Sequence, residues 1–286
     1  MTQKIIYLFI LLWYSSHTLA QLKSYKITDL PNDLEETSGL ILYQDKYFIT
    51  HNDSGNEPEI YILNLKGELI KTIALEDAKN RDWEDITQDD KGRVYLGDFG
   101  NNSNNREKCH IYILPSDFMK HKKVKPKKIT FSYEDQKNYP PKKTKMNFDC
   151  EAFIWKEGFL YLFTKCRTKP FTGESRVYKI DPNDDKQKAD YIGSIYLCQS
   201  GWKLCSVTAA DYHAASNSLA LLTYTKLYII TNFKENEFWN GDIRSYSLPL
   251  IKQREAICFD KENLLYSTDE ERKGFGGGNL YKIQLK

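Results

Sequence analysis

A short apolar–Tyr–any–apolar pattern recurs five times along the chain, at intervals of 50 to 66 residues. Its tyrosines are Tyr61, Tyr112, Tyr178, Tyr228 and Tyr281. A second apolar segment precedes each tyrosine, and the five segments begin at Ser38, Glu84, Glu151, Thr208 and Glu255. Repeats of about 50 residues that each hold four short strands are typical of propeller blades. The pattern therefore predicts an all-β chain that forms a single β-propeller.

The second repeat shows how four strands fit into one unit. Alternating segments at residues 85–88, 94–98, 110–114 and 128–133 are separated by polar connections, and residues 89–92 have the composition of a hairpin turn. Counting the repeats gives about five four-stranded blades. A six-bladed form needs a further blade inside the longer second or third repeat, where no additional tyrosine pattern occurs.

The fifth repeat lacks a fourth strand because the chain ends at Lys286. Residues 25–30 alternate like a strand and precede the first repeat. We therefore predict that they pair with residues 280–285, which closes the ring and leaves no open edge between the first and last blades.

The first twenty residues have the three parts of a signal peptide: a basic start ending at Lys4, an apolar run, and small residues before Ala20. The apolar run is shorter than the roughly 20 residues that span a bilayer. We expect a signal peptide over residues 1–20, a propeller domain over residues 21–286, no transmembrane segment, and a secreted or periplasmic location.

Charge gives no reason to expect nucleic acid as a partner. The 41 basic and 39 acidic residues nearly balance, whereas nucleic-acid-binding domains are usually strongly basic. We expect a monomer whose ligand is a small molecule or another protein.

Six cysteines are present and none forms a CxxC pair, which argues against a zinc knuckle. A disulfide is expected between Cys150 and Cys166, because they flank Glu151 and Lys165, which the repeat places opposite each other. Two buried free thiols are the alternative, and Cys198 with Cys205 is the rival pair.

Acidic residues recur where the inner strands begin, beside the channel of a propeller. Glu84, Glu151 and Glu255 are the predicted metal ligands, and Thr208 interrupts the series in the fourth repeat. Positions about fourteen residues later end the second strands at the same face. With their neighbours they give the predicted ligand-binding residues His51, Asn52, Asp53, Asp98, Lys165 and Asp269.

Converging carboxylates repel one another unless a positive charge lies between them. A divalent cation such as calcium satisfies them, because calcium accepts six to eight oxygen ligands in loose geometry. A small polar ligand is a second solution. The third is neutralisation by salt bridges, for which the candidate residues are Arg81, Arg106, Lys165, Arg167 and Arg254.

Three segments resemble motifs of the SdiA-regulated family of exported bacterial β-propellers: residues 36–40, residues 52–53 and residues 82–86. The later Glu151-Ala152, Thr164-Lys165 and Glu255-Ala256-Ile257 are similar to motifs of related secreted propellers, some described as phytase-like esterases. The resemblance implies a propeller with an acidic central face that can hold calcium. Thr208 departs from a complete ring of carboxylates.

Two functions are compatible with these features. The first is a non-catalytic binding or scaffold propeller that holds a divalent cation or a small polar ligand at its acidic central face. The alternative is a metal-dependent hydrolase of an ester, lactone or phosphoester, with Glu84, Glu151 or Lys165 near the reacting centre.

Overall fold

The computed structural model describes residues 22–249, 252–271 and 277–286. The predicted signal peptide, residues 1–20, lies outside the described residues. Within them, no helix is long and apolar enough to cross a membrane.

The described chain is built almost entirely from strands. The first ten are β1 (Leu22–Asp29), β2 (Thr37–Tyr43), β3 (Tyr47–Asn52), β4 (Glu59–Asn64), β5 (Leu69–Leu75), β6 (Trp83–Gln88), β7 (Val94–Asp98), β8 (Cys109–Ile113), β9 (Lys123–Val124) and β10 (Lys127–Tyr133). The next eleven are β11 (Asp149–Lys156), β12 (Phe159–Lys165), β13 (Glu174–Ile180), β14 (Lys186–Tyr196), β15 (Val207–His213), β16 (Ser218–Thr223), β17 (Lys226–Thr231), β18 (Asp242–Ser247), β19 (Arg254–Lys261), β20 (Leu264–Asp269) and β21 (Asn279–Leu285). Helical structure is limited to α1 (Trp202–Cys205) and to 3-10 turns at Asn32–Leu34, Phe118–Lys120, Lys143–Lys145, Ala214–Ser216 and Phe238–Asn240.

Antiparallel pairing groups twenty of these strands into units of four. The units are β2-β3-β4-β5, β6-β7-β8-β10, β11-β12-β13-β14, β15-β16-β17-β18 and β19-β20-β21-β1. The outer strands of the second and third units also pair in parallel, with Thr130 opposite Lys186. The short β9 pairs in parallel with β5. These four-stranded antiparallel units confirm the β-propeller that the sequence repeat predicts.

The units are arranged in a ring. The first strands of successive units lie side by side, in the order β2, β6, β11, β15 and β19, and β19 returns to β2. Apolar clusters fill the spaces between neighbouring units: the cluster around Phe153 joins the second and third, and the cluster around Phe48 joins the fifth and first. The core is therefore divided among the unit interfaces, because both faces of each blade pack against a neighbour.

Pairing of β1 with β21 confirms the predicted closure. The two strands are antiparallel, with Tyr25 opposite Lys282 and Lys26 opposite Tyr281. The amide of Leu30 also donates a hydrogen bond to the carbonyl oxygen of Gly278, at 2.6 Å. The last unit thus takes its outer strand from the start of the chain.

Each first strand of a unit carries a β-bulge near its beginning. The register shifts leave five residues without a cross-strand partner: Gly39, Glu84, Glu151, Thr208 and Glu255. A bulge re-aims the side chain of the extra residue. All three predicted metal-ligand glutamates occupy this position. Gly39, rather than Ser38, occupies it in the first unit.

The predicted Cys150–Cys166 disulfide is wrong. Cys198 and Cys205 form the disulfide, with their Cα atoms 5.4 Å apart, whereas Cys150 and Cys166 are buried free thiols. Cys150 lies opposite Thr164 and packs into the cluster between the second and third units. The Cys166 sulfur instead contacts the hydroxyls of Thr168 and Thr172.

Candidate cation site at the centre of the ring

The bulged ends of the inner strands open onto a small polar pocket of about 230 Å³. Its walls come from all of the four-stranded units and their connections. The lining residues are Ser38, Asp53, Glu84, Asn102, Glu151, Lys165, Arg167, Trp202, Tyr224, Gln253 and Glu255.

Two acidic residues that line the pocket, Asp53 and Glu84, lie close to Asp82, and we call these three residues the acidic group. One carboxylate oxygen from each lies within 4.8 Å of the others. Glu84 is only 6% exposed. Within the described part of the chain, no hydrogen-bond donor or cationic side chain contacts the Glu84 carboxylate, and the charges that act on it most strongly are other carboxylates. With respect to residues 22–249, 252–271 and 277–286, Glu84 is thus a buried acid without a neutralising partner.

Local hydrogen bonds bring these residues together. The Asn80 amide donates to the carbonyl oxygens of Asn52, at 3.0 Å, and of Asp53, at 2.7 Å. The same side chain accepts a hydrogen bond from the amide of Trp83, at 3.2 Å. Asn80 therefore ties the loop that carries Asp53 to the start of β6, which carries Glu84.

Gly100 leaves the space that the acidic group occupies. A Cβ atom at this position would lie 2.0 Å from Glu84 Oε1 and 2.5 Å from Asp82 Oδ2. Any larger residue would displace both carboxylates. Close approach of a backbone to charged oxygens is a recognised use of glycine.

Burial and mutual repulsion raise the pKa values of the acidic group. Burial, followed by the charges of Asp53 and Asp149, raises the pKa of Asp82 to about 6. Burial, followed by the charge of Glu151, raises the pKa of Glu84 well above its ordinary value. Burial also raises the pKa of Asp53. In each case burial and neighbouring carboxylates outweigh the compensating interactions and disfavour the ionised form, and a bound cation reverses this balance.

The opposite side of the pocket is already neutralised. Lys165 donates to Glu151 Oε2 at 2.8 Å and to the hydroxyl of Tyr224 at 3.2 Å. Arg167 donates to Asp149 Oδ2 at 2.5 Å and to Glu151 Oε1 at 3.4 Å. Burial alone would lower the pKa of Lys165, but the electrostatic interactions with Glu151, Tyr224 and Glu255 together outweigh it and raise that pKa well above its ordinary value.

Glu255 forms a third wall, next to Tyr224 and Gln253. Burial raises the pKa of Glu255 to about 7, against the opposing influence of Lys165. Its carboxyl group is therefore divided between protonated and ionised forms near neutral pH.

The predicted site residues separate into two sets. Asp53, Glu84, Glu151, Lys165 and Glu255 line the pocket, whereas His51, Asn52, Asp98 and Asp269 do not. The strand pairing shows why a spacing of fourteen residues does not place every side chain in the pocket. Asp98 pairs with Trp83, the residue directly before the bulged Glu84, whereas Lys165 pairs with Asp149, two residues before the bulged Glu151. Successive side chains of a strand point to opposite faces.

The four residues outside the pocket have structural partners instead. Asp98 accepts hydrogen bonds from Arg106 and from the amide of Asp82, both at 3.1 Å. Asp269 accepts from the amide of Asn279 at 2.9 Å and from the Tyr281 hydroxyl at 2.9 Å.

The remaining two lie near the end of β3. Asn52 donates to the carbonyl oxygen of Asp33 at 2.7 Å. His51 is fully buried, 3.0 Å from the carbonyl oxygen of Asn52 and edge-on to Trp83. Burial lowers the pKa of His51 to about 4.

Several residues in or beside the pocket were not among the predicted site residues. Asp82 and Asn80 belong to the connection before β6, and their roles depend on a contact with the preceding unit. Tyr224 in the fourth unit is equivalent to Lys165 in the third unit. Each directly follows the threonine that pairs with the residue before the bulge. Aligning the units on their bulges would have identified it.

No family model matches the chain, and the search of curated proteins found no match. Solved structures share its fold. They include the PQQ-bound aldose sugar dehydrogenase of Streptomyces coelicolor, at 11% identity over 93% of this chain and 99% of that one, with a TM-score of 0.55. A putative gluconolactonase gives 11% identity, coverage of 93% and 92%, and a TM-score of 0.51. A gluconolactonase of Xanthomonas campestris is 9% identical over 93% of this chain and 90% of that one, with a TM-score of 0.50.

Identities this low support the fold and not the activity. Fold and pocket together define the class: a β-propeller with a buried, partly uncompensated acidic cluster at the centre of its ring.

Proposed function

We propose that this chain is an exported β-propeller that binds a divalent cation, calcium, at the mouth of its central channel, in a non-catalytic binding or scaffold role. Asp53, Asp82 and Glu84 are the proposed ligands. The observation that carries the proposal is Glu84, a buried carboxylate that contacts no cationic side chain among the described residues and lies beside two further carboxylates.

The donor set favours calcium over most other cations. The three proposed ligands offer carboxylate oxygens, which are hard ligands suited to calcium, magnesium or manganese. Magnesium requires near-ideal octahedral geometry, whereas calcium tolerates irregular arrangements and mixed denticity. Calcium is therefore the better match for three carboxylates that approach from a loop, a connection and a bulge.

Glu151 and Glu255 have a different place in this proposal. Glu151 is close to Glu84 and Asp149, but Lys165 and Arg167 neutralise it. Glu255 lies across the pocket beside Tyr224. Both residues line the pocket near the proposed cation but are not proposed as its direct ligands.

The proposed setting is extracytoplasmic. The signal-peptide pattern of residues 1–20 supports export, and the Cys198–Cys205 disulfide is compatible with an oxidising compartment. Membership of the SdiA-regulated family and a monomeric state belong to the same proposal.

Calcium binding to the purified mature chain tests the proposal. After removal of divalent ions with a chelator, calorimetric titration with calcium is expected to show a saturable site. The melting temperature is expected to rise, since a ligand at 100 times its Kd stabilises the native state by about 2.7 kcal/mol. Asp82→Asn is expected to abolish this rise. Asp98→Asn is the control, because Asp98 is a buried acid that does not line the pocket. A melt insensitive to calcium and chelator would reject the proposal.

A metal-dependent hydrolase of an ester, lactone or phosphoester is the second candidate. It is favoured by Lys165, which is buried, and Tyr224, which is partly buried. Lys165 donates to the Tyr224 hydroxyl at 3.2 Å, and both residues line the same pocket as Asp53 and Glu84. They could orient a substrate, while a bound cation would polarise its carbonyl or phosphoryl oxygen. The gluconolactonase names of two solved neighbours agree with this class of reaction. Hydrolysis of model esters, lactones or phosphoesters that is lost with chelator and in Asp82→Asn would support it.

A further inference from the structure

The pocket carries more negative than positive charge. Four carboxylates line it, those of Asp53, Glu84, Glu151 and Glu255. Among the described residues that line it, Lys165 and Arg167 are the cationic ones. A bound divalent cation keeps surrounding carboxylates ionised, and its two positive charges, together with those of Lys165 and Arg167, balance the four negative charges. An anionic ligand would leave a net negative charge in the pocket, whereas an uncharged ligand would not.

An exposed indole lies at the rim of this polar pocket. Trp202 lines the pocket and is 45% exposed, whereas the other tryptophans in the described ranges are buried or partly buried. The Arg167 guanidinium approaches the ring at 5.7 Å. The exposed part of the ring, which Arg167 does not cover, is suited to a ligand with an apolar face and polar edges.

The segment that carries Trp202 is held in place before any ligand arrives. The Cys198–Cys205 disulfide closes the segment on both sides of Trp202. The hydroxyl of Thr225 donates to the carbonyl oxygen of Leu204 at 2.9 Å, which attaches the segment to the residue after Tyr224. Pre-organisation of this kind reduces the entropy lost on binding.

We propose that the ligand of this site is an uncharged, hydroxyl-rich ring of about monosaccharide size, which stacks on Trp202 and offers hydroxyl oxygens to the cation at the acidic group. The inference rests on the proposed function, since it takes the bound cation as part of the site. Calcium accepts neutral oxygen ligands as well as carboxylates. A volume of about 230 Å³ lies below the roughly 300–1,000 Å³ of pockets for drug-sized ligands. The same charge balance disfavours a phosphoester among the possible substrates of a hydrolase.

Matched pairs of neutral and anionic sugars test the inference. Calcium binding is first measured calorimetrically, and the calcium-loaded protein is then titrated with glucose and glucose 6-phosphate, with galactose and galacturonate, and with a panel of pentoses and methyl glycosides. At least one neutral sugar is expected to bind, about tenfold or more tightly than its anionic counterpart. Anionic sugars that bind as tightly, or no binding by any neutral sugar, would overturn the inference while calcium binding still stands. Absence of calcium binding would overturn both proposals.

A variant isolates the contribution of the indole. Trp202→Ala is expected to weaken binding of the same neutral sugar about tenfold and to leave calcium affinity unchanged. Tyr196→Ala is the matched control, because Tyr196 is a 61% exposed aromatic residue outside the pocket. Unchanged sugar affinity in Trp202→Ala would contradict the stacking role and overturn the proposal.

Discussion

Glu84 lies against Gly100 so closely that a Cβ atom at residue 100 would stand 2.0 Å from Glu84 Oε1. Glu84 is the bulged residue of β6, and Gly100 follows β7, the strand paired with it. The hairpin of the second unit therefore shapes its own half of the acidic group. A missing side chain on one strand makes room for a carboxylate from the other.

Gly100→Ala is expected to remove calcium binding while preserving the fold, because the added methyl group displaces the carboxylates of Glu84 and Asp82. Calorimetric titration with calcium measures the effect. Gly158→Ala is a suitable control: no atom lies within 4 Å of its Cβ position, but its φ of 90° makes alanine strained, at a cost of about 1 kcal/mol. The control should lose stability and keep calcium binding. Wild-type calcium affinity in Gly100→Ala would contradict the assignment of these ligands.

Glu84→Gln and Glu151→Gln are expected to change stability in opposite directions when calcium is absent. Glu84 has its pKa raised by burial, so its ionised form opposes folding increasingly as pH rises above the ordinary value; glutamine removes this cost. Glutamine at residue 151 instead leaves Lys165 buried without its carboxylate, which costs about 3 kcal/mol. Urea unfolding in chelator at pH 5 and pH 8 measures both, and the Glu84→Gln gain should be larger at pH 8. Equal losses in both variants would contradict the difference in pairing.

His51 is expected to make the protein sensitive to mild acid. Burial lowers its pKa from the ordinary 6.5 to about 4, so between these values the unfolded chain binds a proton that the folded chain does not. The contribution of His51 to stability is therefore complete above pH 6.5 and falls as the pH decreases towards 4, by up to about 3 kcal/mol. His51→Asn should be less stable at pH 7 through lost packing, but should lose less between pH 7 and pH 5. Identical pH dependence in urea unfolding would show that His51 is not the sensitive group.

Deletion of β1, Leu22–Asp29, is expected to open the ring. Without it, β21 becomes an exposed edge, because its other side pairs with β20. Unpaired strand edges promote association with other chains. Light scattering and thermal melts of the deletion variant and of the chain beginning at residue 22 should differ, with aggregation and a lower melting temperature in the deletion. Unchanged behaviour would mean that β1 contributes little to closure.

Cys198→Ser combined with Cys205→Ser is expected to destabilise the protein by about 2 kcal/mol, as the closed loop is short. Alkylation of the unfolded, unreduced wild type should modify the four free cysteines and spare this pair. Intact mass measures the number of modified thiols. A mass corresponding to two modified thiols would indicate a second disulfide.

Much of the fold could be predicted because its cause is local. Apolar and polar residues alternate along a strand wherever one of its faces packs against a neighbouring unit. The recurring tyrosine pattern therefore located the inner and middle strands of each unit. The unpaired fifth repeat and the alternating residues 25–30 indicated the closure that β1 and β21 form. The three glutamates could be grouped because each begins an equivalent strand, and all three line the pocket.

Only the tertiary structure decided which of the other polar residues join them. Side chains alternate along a strand, so a difference of one residue in strand pairing reverses the face to which a side chain points. This difference places Lys165 in the pocket, whereas Asp98 and Asp269 bond to partners outside it. Asp53 and Asp82 meet through contacts between two units, which no spacing within one repeat contains. The periodicity of the sequence determined the ring and its acidic centre. Bulges, strand register and contacts between units decided which carboxylates are paired with a cation and which are not. Those three features depend on how separate strands pack together, which the sequence of a single repeat does not contain.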